Sequence, residues 1–127
     1  MSLILETLAG FFSIQVVFAL LVGVAVGIIG GGLPGISPSM TIALLLPISL
    51  YLPTTVAIAL MMGAYQGAMF GGSVSAILIN TPGTASAAAT TLDGYKMALN
   101  GQAGKALLMA LYASCTGGII GTVILLA

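Results

Sequence analysis

The side chains able to do chemistry in this 127-residue chain are few, and their types exclude most reactions. Four formal charges are present, Glu6, Asp93, Lys96 and Lys105, with neither His nor Arg, and Cys115 is the single thiol. Catalysis needs a nucleophile beside a base, or a cluster of metal ligands. Two acids far apart in sequence, one isolated cysteine and no imidazole offer neither, so the residues predict no enzyme, no metal site and no cofactor. Cys115 sits in an apolar run, cannot form an internal disulfide and reads as a small buried hydrophobe. What remains is the chemistry of neutral groups: hydroxyls, amides, and main-chain N–H and C=O groups freed where Gly and Pro interrupt a helix.

Two stretches concentrate that chemistry, GGGLPGISPS at 30–39 and GGSVSAILINTPGTAS at 71–86. Each combines adjacent glycines with a Pro-Gly pair and hydroxyl side chains. A broken helix exposes N–H groups at the start of its second half, carrying about half a positive charge through the aligned peptide dipoles. Such an end can hold a carboxylate without Lys or Arg, while unwound carbonyls can hold a coupling ion such as Na+. The candidate binding residues are therefore Gly35 and Ser37 in the first stretch and Gly71, Gly72, Ser73, Asn80, Thr81 and Gly83 in the second. Pro34 and Pro82 are the candidate structural breaks. Asn80 is the strongest of these, because an amide at the end of the uncharged run 74–79 needs partners there. The competing readings are that both stretches are ordinary turns at headgroup level and that Asn80 caps the turn that follows it.

The elements that must position these residues follow from composition. Charged residues make up 3% of the chain, against about 25% in soluble domains. Residues 7–92, 86 in all, carry no formal charge, and mean hydropathy is +1.28. No water-exposed surface can be built from such a stretch. A pass through the hydrocarbon core takes about 20 mostly apolar residues, which leaves room for three or more passes. A signal peptide is excluded by the missing basic n-region, by Glu6 and by the further apolar runs. Zero net charge leaves no basic face for nucleic acid or anionic lipid.

Along the chain, an amphipathic start at Leu3, Ile4 and Leu8 precedes a first span over 12–29, with Phe11 and Phe12 marking the membrane boundary. A second apolar run, 40–52, is interrupted by Pro47 and closed by Pro53. A third helix is expected over 54–70, broken by Gly71 and Gly72. Residues 84–91 read as a small-residue helix start, 93–105 as an aqueous loop, and 106–127 as a last apolar run. The two lysines of that loop favour the cytoplasmic side. Asp93 and Lys96, three apart, read as a surface ion pair. Small residues four apart, at Gly23, Gly27 and Gly31, at Gly63, Gly67 and Gly71, beside Ala64, Ala68 and Gly72, and at Gly117 and Gly121, predict close helix–helix packing.

Three ordered blocks, LPGISPSMTIALLLP at 33–47, GAYQGAMFGGSVSAILINTPGTAS at 63–86 and LDGYKMALNGQAGKAL at 92–107, resemble the N-terminal part of the large membrane subunit of tripartite tricarboxylate transporters. The resemblance runs from about Val22 onward. It implies a multi-pass protein of the bacterial inner membrane, an ion-coupled secondary transporter driven by Na+ or H+. It also implies a small membrane subunit and a periplasmic solute-binding protein as partners, the latter delivering carboxylates such as citrate. The matching positions are Pro34, Gly35, Ser37, Gly71, Gly72, Ser73, Asn80, Pro82 and Gly83, with Asp93, Gly94, Tyr95 and Lys96 after them. Subunits of this family are several times longer, so residues 1–127 read as a single transmembrane domain, the N-terminal part of a longer subunit.

The expected fold is thus all-α integral membrane: a multi-span bundle of about four hydrophobic spans, two of them Gly/Pro-interrupted as broken or re-entrant helices. Its expected partners are the lipid bilayer, the two further components and a carboxylate, with no nucleic acid. A channel or pore subunit, or a structural scaffold without a site, are the rival readings.

Overall fold

The computed structural model describes residues 13–126, and all the regular structure among them is helical. The helices are α1 (Ile14–Gly32), α2 (Pro38–Ser49), α3 (Thr54–Ile79), α4 (Ala88–Leu99) and α5 (Ala103–Leu126). The amphipathic start expected at Leu3, Ile4 and Leu8, and the boundary expected at Phe11 and Phe12, lie outside the described residues. Among them, α1 (mean hydropathy 2.4) and α5 (1.8) are long and apolar enough to cross a membrane. At 26 residues α3 is the longest helix, but glycines, serines and Gln66 dilute its apolar character.

The core is the contact between α1 and α3, and glycine spacing builds it. Gly23 faces Leu60, Gly27 faces Ala64 and Gly31 faces Ala68, while Gly63 faces Leu20, Gly67 faces Val24 and Gly71 faces Ile28. The two sets of numbers rise together, so α1 and α3 run parallel, backbone against backbone. In lipid, where burying apolar side chains gains little, this close approach supplies the van der Waals contact that holds helices together. Parallel neighbours need a return, and α2 provides it. Thr41 meets Gly30 at one end, and Ile48 shares a cavity with Phe18 and Val22 at the other.

Local chemistry explains the helix ends. Leu33, Pro34, Gly35 and Ile36 form a turn closed by Ile36 N–H donating to the Leu33 carbonyl at 3.2 Å. Gly35 takes φ +94° there, which suits a type II turn with Pro second and Gly third. Ser37 then caps α2: its hydroxyl accepts from Met40 N–H at 3.2 Å, and Pro38 opens the helix where no N–H is missed. Ser37→Ala should therefore cost about 1 kcal/mol. Its thermal midpoint in the full-length protein should fall by a few degrees, and Ser37→Thr should restore it. At the end of α4, Gln102 N–H donates to Met97 O at 2.9 Å and Gly101 N–H to Ala98 O at 3.0 Å. This Schellman closure turns the chain into α5.

Three expectations are corrected. Gly71 and Gly72 do not break α3, which continues through both to Ile79. Their helix penalty of about 1 kcal/mol each is offset because they admit α1 and the following connection. Pro47 does not interrupt α2, which continues through it to Ser49, with the Ala43 carbonyl left without its helical N–H donor. Residues 93–105 are not an aqueous loop, since α4 covers Asp93 and Lys96 and α5 begins at Ala103. Among the described residues no ion pair joins Asp93 to Lys96, and both are exposed.

Candidate functional site

Residues 80–87, between α3 and α4, do not simply leave the bundle. Asn80 ends α3 in the left-handed conformation, φ 57° and ψ 24°, which turns the chain sharply back. Thr81 follows with its hydroxyl donating to Ile79 O at 3.2 Å. By Gly83 the chain has returned two helical turns along α3. Gly83 N–H points at Gly72 O at 3.5 Å, a long contact. A methyl group on Gly83 would lie 2.5 Å from Gly31 O and 3.0 Å from Gly72 Cα, and one on Gly72 would meet Thr84. Gly31, Gly72 and Gly83 thus form one junction between α1, α3 and the connection. From there α4 runs alongside the end of α3, with Gly94 against Ile77.

The turn ahead of α4 repeats the hydroxyl pair found at the start of α2, although α4 itself begins at an Ala87 N-cap with no side-chain cap. Thr84 Oγ1 accepts from Ala87 N–H at 3.2 Å and lies 3.1 Å from Ser86 Oγ. Ser37 Oγ likewise accepts from Met40 N–H at 3.2 Å and lies 3.1 Å from Ser39 Oγ. Both follow a Pro-Gly pair, Pro34-Gly35 and Pro82-Gly83. Each connection therefore offers a pair of hydroxyls at the positive end of a 12-residue helix.

The structure distributes the sequence-derived candidates unevenly. Gly71 and Gly72 are buried within α3, Gly83 is half-buried at the junction, and Ser73 is half-buried on α3. Gly35, Ser37, Asn80 and Thr81 are exposed, as are Pro34 and Pro82. Ser73 lines a cavity of about 350 Å³ with Gln66, Met69 and Phe70 of α3, Ser86 of the connection, Thr90 of α4 and Ser114 of α5. Gln66, Ser86, Thr90 and Ser114 were not legible as site residues in the sequence. One signal was available for Gln66. It is the only amide within α3 and stands seven residues, two turns, before Ser73.

The polar groups lining this cavity are neutral hydrogen-bond donors and acceptors, and among the described residues there is no cluster of His, Cys, Asp and Glu that could hold a metal. Two of the helices that surround or support it are long and apolar enough to cross a membrane. Residues 17–127 match the Tripartite tricarboxylate transporter TctA family, and the chain belongs to that family. A protein of Agrobacterium vitis, described as "Uncharacterized 52.8 kDa protein in TAR-I ttuC' 3'region", is 47% identical over 104 residues, covering 82% of this chain and 21% of that protein. The chain spans about a fifth of that relative's length. No solved structure matches it.

Proposed function

We propose that this chain is part of the membrane subunit of an ion-coupled secondary transporter for carboxylates of the tricarboxylate type. In this reading it crosses a bacterial inner membrane several times. A small membrane subunit completes it, a periplasmic binding protein feeds it, and Na+ or H+ drives it. Family membership over residues 17–127 supports the transporter class. The observation that carries the site is the inward return of 80–87, a non-helical segment pressed against glycines of an otherwise apolar helix pair. Irregular backbone at membrane depth is stable only where protein or a watery cavity satisfies its polar groups, and the packing of Gly83 on Gly31 and Gly72 with Ser86 lining a cavity supports this reading.

Uptake of labelled citrate by cells making the full-length transporter with its partners tests the proposal. Saturable uptake that needs an imposed Na+ or H+ gradient is expected, and a conductance indifferent to gradients would favour a pore. Asn80 gives a finer test, because glycine adopts the left-handed conformation freely and removes only the amide. Asn80→Gly is expected to accumulate normally and to lower citrate uptake about tenfold, the loss of about 1.4 kcal/mol of contact. Unchanged uptake would reduce Asn80 to a cap.

A further inference from the structure

The cavity between α3, α4 and α5 differs from the others in its chemistry. Five of its nine lining residues, Gln66, Ser73, Ser86, Thr90 and Ser114, carry polar side chains, and none carries a charge. Four hydroxyls on these helices are already used. Ser75 donates to Gly72 O, Thr91 to Ala88 O, Thr116 to Tyr112 O and Thr122 to Gly118 O. Among the described residues the side chains of Gln66, Ser73, Thr90 and Ser114 make no hydrogen bond to the protein, and all four line this one space. Gln66 and Ser114 are exposed and Ser73 and Thr90 half-buried, so an amide and three hydroxyls face this space with their hydrogen-bonding capacity free for a polar occupant.

The same groups say what fits. A carboxylate only accepts hydrogen bonds, at about four lone-pair positions. Gln66 offers two N–H donors and each hydroxyl one, and Ser86 sits at the start of α4, the positive end of that helix. A cation would be better served elsewhere. Asp93 lies one turn beyond Thr90 and lines a separate, adjoining cavity that shares Thr90, Ala110 and Ala113. On the opposite side, an apolar crevice of about 640 Å³ shares Gln66, Phe70 and Ser114. The polar cavity is thus the middle of a chain of spaces along α5, and its own 350 Å³ falls within the range of small-molecule sites.

We propose that the cavity formed by Gln66, Ser73, Ser86, Thr90 and Ser114 holds a carboxylate group of the cargo, with the Gln66 amide as its main donor. This rests on the transporter reading above and assigns the cargo's seat within it. Gln66→Met keeps length and helix propensity and removes only the donors. In proteoliposomes holding the full-length transporter and its partners, Gln66→Met is expected to raise the half-saturating citrate concentration about tenfold or more with the half-saturating Na+ or H+ concentration unchanged. Thr90→Val should do the same to a lesser degree. A wild-type citrate dependence in Gln66→Met overturns the proposal, and so does a shift confined to the cation. A wild-type transporter that carries no citrate overturns the functional reading and this one together, whereas active wild type beside unaffected Gln66→Met overturns this one alone. Should Gln66→Met fail to insert, Ser114→Cys in a background cleared of other cysteines decides. Citrate is expected to slow its alkylation by a thiol reagent, and an alkylation rate indifferent to citrate overturns the assignment.

Discussion

Gly31→Ala in the full-length transporter is expected to abolish accumulation of folded protein. The added methyl would overlap the Ala68 carbonyl oxygen, with Ala68 Cα at 2.5 Å and its carbonyl carbon at 2.6 Å. All three are backbone atoms of a helix, so no side chain can rotate away, and Ala68 is fully buried. Relief requires α1 and α3 to separate along the whole seam that Gly23, Gly27, Gly63, Gly67 and Gly71 share. Overpacking in cores that can adjust costs about 1–3 kcal/mol. Here two rigid backbones oppose it, against a total stability of about 5–15 kcal/mol for a typical domain. The control is Gly117→Ala on α5, where nothing lies within 4 Å. That change should be neutral or gain up to about 1 kcal/mol of helix propensity. Size-exclusion profiles of tagged, detergent-solubilised protein separate the two outcomes. A monodisperse peak of wild-type height for Gly31→Ala would show that the helices do not meet this closely.

The contrast between Gly31 and Gly117 also marks how far the sequence could be read. Spacing of four announced both stripes, yet among the described residues the α1 and α3 sets find each other and the Gly117 set meets nothing, because spacing describes one surface and packing needs two. The same ambiguity misread Gly71 and Gly72. A glycine pair lowers helix propensity and also clears room for a neighbour, and only the neighbour decides which effect wins. Here Ile28 of α1 crosses Gly71 and Thr84 sits over Gly72, so the helix continues. The helical class followed from the long run without formal charge, since local composition alone fixes the solvent it needs. The Pro-Gly pairs located both connections for an equally local reason. The cavity was hidden because its polar lining comes from positions 66, 73, 86, 90 and 114. No one segment of the sequence displays it, and the turn at Asn80 that brings Ser86 back to Ser73 depends on a backbone conformation that asparagine permits without requiring.

That returning connection sets up the second large effect, which has the opposite character to the first. Gly83→Ala is expected to fold and insert and to lose transport. Its methyl would lie 2.5 Å from Gly31 O, 3.0 Å from Gly72 Cα and 3.3 Å from Ser75 Oγ, so something must move. Unlike the α1–α3 seam, one side of this junction is a connection held at this point of α3 by one long contact from Gly83 N–H to Gly72 O, with Thr81 Oγ1 bonded to Ile79 O two turns away. The connection yields first, and the helix pair beneath it is left intact. Gly83 has no positive φ, so alanine adds no backbone strain and the effect is steric alone. Gly35→Ala is the converse case: nothing lies within 4 Å, but φ +94° penalises any side chain. Moving residue 83 outward shifts Thr84 and Ser86 with it, and with them the start of α4 and one wall of the polar cavity. Displacements of about 1 Å at a positioned site can cost about a hundredfold in rate. Citrate uptake by Gly83→Ala should therefore fall at least about tenfold while its thermal midpoint stays near wild type. Retained uptake in a stable Gly83→Ala protein would show that the connection's seat on Gly31 and Gly72 is incidental to transport.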